Sequence, residues 1–159
     1  MLGLTSRRPQ LVRLLARLAL AHRPPTGFRG ALVVEHTGGH AGTFDIKRGG
    51  VLPIADLARW GAAAAGTPAG STTERLRVAA AAGTLGEDDA RALAEAWDLV
   101  VNLRLEHQTE QLRAGAAPDD HLDPGALNPL TRRYVREAFR AVATAQRAVA
   151  NELSFRVGG

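Results

Sequence analysis

Apolar residues with a helical spacing alternate along the chain with short stretches rich in glycine and proline. This pattern predicts five helices, over residues 9–23, 51–65, 71–82, 87–113 and 128–155. The first helix ends before Pro24 and Pro25 and carries one apolar stripe. The stripe is made by Leu11, Leu14, Leu15 and Leu18.

Three helix starts carry capping signals. Residues 71–74 and 84–87 both fit the capping box, in which a Ser or Thr is followed three positions later by Glu. Asn128 and Pro129 supply an N-cap and a first-turn proline for the last helix. The helix over residues 87–113 is expected to bury mainly Leu93, Trp97, Val100, Val101, Leu105 and Leu112.

The fold class predicted from these elements is mainly all-α. Residues 31–35 and 43–47 flank a glycine-rich turn and suggest one small β-hairpin near residues 31–47. Alanine and leucine, both strong helix formers, make up almost a third of the chain. We therefore expect a single helical domain over residues 1–159, a bundle of about five helices. Its basic N-terminal helix, within residues 1–25, packs on the bundle or leads into it.

Charge is concentrated at one end of the chain. Residues 1–34 contain six arginines and no carboxylate, and the remaining residues carry a net charge of −2. The basic segment suits a phosphate backbone, a membrane surface, an acidic neighbouring domain or simple solvation, and no nucleic-acid-binding motif supports the first. We therefore do not expect a nucleic-acid partner.

Several classes of protein are excluded. The absence of cysteine excludes a disulfide scaffold, a thiol nucleophile and cysteine-ligated zinc. Arg13 and Arg17 interrupt the apolar N-terminal segment, which excludes a secretory signal, and no 18-residue apolar run could span a membrane. We expect a cytoplasmic protein without a membrane partner.

The segment from Asp45 to Gly50 is the best candidate for chemistry. Lys47 is the only lysine beside 19 arginines, and a compact ammonium suits a phosphate or carboxylate contact. Gly49 and Gly50 would let the backbone approach an anion at the start of the following helix, although a plain turn explains them equally well. On a strand, Asp45 would share a face with Lys47. It could orient the ammonium, approach a metal ion or form an ordinary surface ion pair.

No metal site is predicted. His36 and His40 are four residues apart, but they lie in a glycine-rich turn that does not fix ligand geometry. The acidic stretch over residues 119–123 lacks the closing glutamate of a calcium loop. No hydrolase or phosphate-loop motif is present either.

Several motifs in order resemble the family of nucleotidyltransferase substrate-binding domains. They are Asp45-Ile-Lys47-Arg48-Gly49-Gly50 with Pro53 to Arg59, Thr73 to Leu76, Leu103 to Gln108, Pro118 to Pro124, and Arg133 to Phe139 followed by Gln146. The family usually has Asn where Asp120 stands. The match covers about residues 10–155. The Asp-x-Lys-x-Gly-Gly core is also similar to the helical region of bacterial enzymes that uridylylate the PII signalling protein or adenylylate glutamine synthetase.

The resemblance implies an accessory domain of a signal-transduction nucleotidyltransferase, usually behind CBS and cyclic-nucleotide-binding-like domains. The catalytic Gly-Ser turn with its Asp-x-Asp pair is missing, so we expect no catalysis and no cofactor in this chain alone. Mg²⁺ and a nucleoside triphosphate would belong to a catalytic domain acting in cis or in trans. The alternative is a helical interaction module that relays signals between regulatory and catalytic domains, and a homodimer stays open.

The resemblance also nominates residues that bind a nucleotide or a protein acceptor. The first group is Asp45, Lys47, Arg48, Gly49 and Gly50, with Asp56 as a weaker candidate because helix capping explains it equally well. A second group is Arg104, His107 and Gln108, whose spacing puts them on one helix face. They either line a polar groove or form a hydrogen-bonded cluster that fixes helix packing.

Overall fold

The structure is a computed structural model that describes residues 7–27, 31–68 and 70–157. The ends of the predicted domain, residues 1–6 and 158–159, and Arg29 of the basic segment lie outside the described residues. Within the described part there are five α-helices and one two-stranded sheet, which confirms the predicted fold class. None of the helices described combines the length and the apolar character needed to cross a membrane.

The helices follow the predicted pattern closely. They are α1 (Arg7–Ala21), α2 (Leu52–Ala64), α3 (Thr72–Ala81), α4 (Glu87–Arg113) and α5 (Pro129–Val157). A π-helical turn, Lys47–Val51, leads directly into α2. The core lies between the five helices and includes Leu57, Leu76, Leu93, Phe139 and Val142.

Two of the three predicted caps are present. The Ser71 hydroxyl accepts a hydrogen bond from the Glu74 N–H, and the Asn128 side chain accepts one from the Thr131 N–H. The prediction of a capping box at residues 84–87 is wrong. The Thr84 hydroxyl instead donates to backbone carbonyls that include that of Gly61, 2.9 Å away in α2, and Gly86 is the N-cap of α4.

The small sheet has an unexpected second strand. β1 (Phe44–Asp45) pairs antiparallel with β2 (His121–Leu122), so its partner is not the segment 31–35. That segment forms an isolated bridge between Leu32 and Thr26, and Glu35 exchanges backbone hydrogen bonds with residues 42 and 43. The chain therefore doubles back as predicted, but the sheet joins two loops that are distant in sequence.

Some predicted apolar positions face solvent. Leu11, Leu14 and Leu18 of α1 are about half exposed, because α1 approaches the bundle through buried Ala16 and Ala19. Gln146 of α5 holds the end of this helix by donating to the carbonyl oxygens of Ala19 and His22. The basic helix thus packs on the bundle through buried Ala16 and Ala19, and Val12, Leu15 and Leu20 pack against the same core.

The prediction that Leu105 and Leu112 are buried is wrong, since each is 62% exposed. Near its C-terminal end α4 packs against a polar loop instead of the apolar core. Its buried apolar contacts are concentrated in the first half, at Leu93, Ala96 and Val100.

The π-helical turn fits against the core only because it contains two glycines. A Cβ on Gly49 would lie 2.5 Å from Pro25 Cδ, and one on Gly50 would lie 2.9 Å from Val100 Cγ1 and 3.3 Å from Phe139 Cε1. Phe139 is itself fixed edge-to-face against Phe44 of β1, with ring centroids 5.8 Å apart. Close packing of the backbone therefore explains both glycines.

We predict that Gly50→Ala destabilises the fold by roughly 1–3 kcal/mol, because the new methyl group overpacks a buried contact. Gly39→Ala is the matched control, since a Cβ there meets nothing within 4 Å. It should change stability by no more than about 0.5 kcal/mol. Urea unfolding of both variants tests this, and equal effects would contradict it.

Candidate functional site

Side chains on α4 form hydrogen bonds with the loop that contains Asp119 and Asp120. Arg104 Nε donates to Asp120 Oδ1 at 2.5 Å, and Gln108 Nε2 donates to the same oxygen at 2.9 Å. Both partners of the ion pair are mostly buried. The Asp120 carboxylate supplies the charge that pairs with Arg104.

Asp119 is held just as firmly. Its Oδ1 lies 2.9 Å from His107 Nε2 and accepts a hydrogen bond from the His121 N–H at 2.9 Å. The Asp119 N–H donates to Gln111 Oε1 at 2.8 Å. The hydrogen bonds of these α4 side chains, Arg104, His107 and Gln108, therefore go to Asp119 and Asp120. We call residues 119–121 the 119–121 loop.

The 119–121 loop also positions the helical turn that carries Lys47. His121 of β2 pairs with Asp45 of β1, and the Ile46 N–H donates a hydrogen bond to the Asp120 carbonyl oxygen at 2.9 Å. Ile46 is fully buried and directly precedes the π-helical turn. A continuous series of polar contacts thus runs from α4 to Lys47.

The structure places Lys47 in a helical turn, so the prediction of a strand there is wrong. Asp45 is the last residue of β1, and its Oδ1 accepts a hydrogen bond from the Arg48 N–H at 2.8 Å. Asp45 therefore caps the turn and does not hold the Lys47 ammonium. Arg48 Nε is 3.9 Å from Asp45 Oδ2, and the Arg48 side chain is 76% exposed.

These residues border an open pocket of about 580 Å³, which we call the Lys47 pocket. Its basic and imidazole side chains are Lys47, Arg48, His22, His40 and His121. Its carboxylates are Glu35, Asp45 and Asp120, and Leu52 completes the lining.

Each carboxylate of the Lys47 pocket already has a partner. Asp120 is paired with Arg104, Asp45 caps the turn, and Glu35 Oε1 lies 3.4 Å from His121 Nε2. Lys47 is exposed and makes no ion pair or side-chain hydrogen bond with the described part of the chain. The lining therefore offers a free ammonium and an exposed guanidinium to an anion.

The predicted site residues separate into four groups. Asp45, Lys47 and Arg48 come together at the pocket, whereas Gly49 and Gly50 are buried beneath it. Asp56 pairs with Arg59 on α2 and lies away from the pocket lining. The last group, Arg104, His107 and Gln108, forms a hydrogen-bonded cluster, which was one of its two interpretations. The cluster holds the 119–121 loop on α4 and does not join two helices.

The sequence did not predict that His40 and His121 come together, because each was considered only within its own loop. Their rings stack with centroids 3.6 Å apart and an interplanar angle of 9°. They lie in different loops, and no spacing in the sequence relates them. The only local signal was that each His sits in a short polar loop of its own.

The comparisons with known proteins bear on this geometry. A family model described as "Putative nucleotidyltransferase substrate binding domain" matches residues 9–153. The chain belongs to this family. The match spans α1, the Lys47 pocket, the 119–121 loop and most of α5. Neither a curated protein nor a solved structure matches the chain.

In this member of the family, the contacts of Asp119 predict a dependence of stability on pH. Burial raises the pKa of the carboxyl group, but hydrogen bonds from His107, the His121 N–H and Gln111 outweigh burial. Together they lower the pKa from 3.8 to about 2. The folded state thus binds this proton more weakly than the unfolded chain. Asp119 stabilises the fold above pH 3.8, and this contribution is lost as the pH falls toward about 2.

In the His107→Ala variant, the pKa of Asp119 should return toward 3.8. The variant should then lose less stability than the parent as the pH falls through this window. A carboxyl NMR titration gives the pKa, and urea unfolding at several pH values gives the stability. His36→Ala is the control. A pKa that stays near 2 without His107 would contradict the assignment.

Proposed function

We propose that the domain binds an anionic group, the phosphate chain of a nucleotide or an acidic acceptor, in the Lys47 pocket. It would present this group to a nucleotidyltransferase catalytic domain. The observation that carries the proposal is Lys47 itself, an exposed ammonium with no carboxylate partner in the described chain. Membership of the family supports an accessory role with such a catalytic domain.

The surroundings of Lys47 favour an anion over a neutral ligand. The neighbouring Arg48 guanidinium is mostly exposed, and its backbone is fixed by the Asp45 cap. Two charged donors on one rigid turn can contact two oxygens of the same phosphate chain. Because the three pocket carboxylates are engaged, they compete weakly for Lys47.

The role of each predicted residue follows from its position. Lys47 and Arg48 would touch the ligand, and Asp45 would hold the turn in shape. Arg104, His107 and Gln108 would act at one remove, by fixing the 119–121 loop. Mg²⁺ and the catalytic carboxylates would come from the partner domain.

Thermal melts of the chain in Mg²⁺ test the proposal with a panel of nucleoside triphosphates and with inorganic tripolyphosphate. A ligand at 100 times its dissociation constant adds about 2.7 kcal/mol, which raises the melting temperature by several degrees. Lys47→Ala should abolish this shift, and Lys47→Arg should retain part of it. Arg113→Ala, at the far end of α4, should keep the full shift.

The pattern of shifts distinguishes the sources of the anion. A shift with one nucleoside triphosphate indicates a nucleotide site, whereas equal shifts with tripolyphosphate indicate recognition of the phosphate chain alone. Equal shifts in the parent and Lys47→Ala would contradict the proposal. No shift with any of these ligands would contradict binding of a phosphate chain and leave the acidic acceptor as the only anion to test. The absence of any shift would also agree with the alternative, an interaction module with no ligand of its own.

A further inference from the structure

Three potential metal ligands from two loops converge beside the Lys47 pocket. His40, Asp119 and His121 each offer one ligand atom, and these atoms all lie within 4.8 Å of one another. A tetrahedral ion with nitrogen ligands at about 2.1 Å sets neighbouring ligand atoms roughly 3.4 Å apart. Small side-chain rotations would therefore bring the three atoms around one ion.

His121 is oriented as a metal ligand would be. Its Nε2 lies 3.4 Å from Glu35 Oε1, and its Nδ1 is buried with no hydrogen-bond partner in the described chain. A carboxylate facing Nε2 keeps the ring proton on that nitrogen and leaves the lone pair on Nδ1. Carboxylates orient metal-bound histidines in this way in many proteins. An ion at Nδ1 would satisfy a buried polar atom that is otherwise costly to leave alone.

Asp119 is held by neighbours on both sides of its carboxylate. The hydrogen bonds from His107 and from the His121 N–H both use Oδ1, and an ion at Oδ2 would share the carboxylate with the Gln111 side chain. Gln111 Oε1 also accepts a hydrogen bond from the Asp119 N–H, which holds the backbone of this ligand in place. Two of the three ligands thus belong to a firmly held loop.

His40 supplies the adaptable ligand. It is exposed, and its turn contains Gly38 and Gly42 in the left-handed region, with φ of +82° and +84°. To coordinate, the imidazole must rotate out of its parallel stack on His121. A glycine-rich turn accommodates this rotation at low cost.

We propose that His40, Asp119 and His121 bind a divalent transition-metal ion, with Zn²⁺ the best match to two nitrogens and one oxygen. Mg²⁺ and Ca²⁺ prefer sites made of oxygen ligands, so the two imidazoles select against them. Three protein ligands leave one coordination position open to water or to an anion in the pocket. The proposal goes beyond the proposed function, because it requires no nucleotide and no partner domain.

Titration calorimetry of the metal-stripped chain with Zn²⁺, at neutral pH and with Mg²⁺ in excess, tests the site. We expect saturable binding of one ion. His40→Ala and His121→Ala should each weaken it at least about tenfold. His36→Ala is the matched control, since His36 is an exposed imidazole in the same loop but outside the cluster, and its affinity should equal that of the parent.

Substitution with Co²⁺ gives a second readout, because its visible absorption bands depend on the ligands and should change when His40 is removed. Since His40 is exposed, His40→Ala keeps the fold and the test remains decisive even if His121→Ala unfolds. The absence of saturable Zn²⁺ binding would overturn the site. Equal losses in His36→Ala and His40→Ala would overturn it too. No phosphate ligand is present in the titration, so its outcome is separate from that of the thermal melts.

Discussion

The ion pair between Arg104 and Asp120 is the contact on which the rest of the site depends. It joins the C-terminal half of a long helix to a loop that has few apolar anchors of its own. Because both side chains are largely removed from water, this charge-assisted bond is stronger than an exposed pair on the surface. Gln108 donates to the same Asp120 oxygen as Arg104. His107 makes a similar contact with Asp119, the carboxylate that precedes Asp120 in the loop. Without these donors, two adjacent carboxylates would have to be solvated or neutralised.

The geometry of the Lys47 pocket follows from this anchored loop. Backbone pairing with His121 and the bond from the Ile46 N–H to Asp120 fix the residue before the π-helical turn. The glycines then let that turn lie against Val100 and Pro25, so that Lys47 and Arg48 point away from the core. Single π-helical turns of this kind are frequent at functional sites. Here one side of the turn packs closely on the core through its glycines, and the other side exposes the charged groups of Lys47 and Arg48.

Local signals in the sequence were sufficient for the helices and for part of the site. The bounds of α4 and the Ser71 cap follow from patterns within a few residues. The single lysine likewise drew attention to a segment that the structure places at the edge of a pocket. Contacts between distant segments were not predictable in this way. The pairing of β1 with β2, the exposure of Leu105 and the stacking of His40 on His121 each depend on which loop packs against which helix. The Thr84 side chain illustrates the same limit. Its hydroxyl group turns toward a carbonyl oxygen of α2 and donates a hydrogen bond to it, so it does not cap α4.

Hydrogen exchange at the Ile46 amide measures most directly whether α4 positions the Lys47 turn through the 119–121 loop. Arg104→Met keeps the aliphatic stem and removes the charge-assisted bond, and Arg91→Met, at an exposed pair in the same helix, is its control. A charge-assisted hydrogen bond contributes about 1.5–3 kcal/mol, so exchange at Ile46 should accelerate about tenfold or more. Amides of the α5 core, such as Val142, should exchange at the parent rate. Unchanged protection of Ile46 in Arg104→Met would contradict the account.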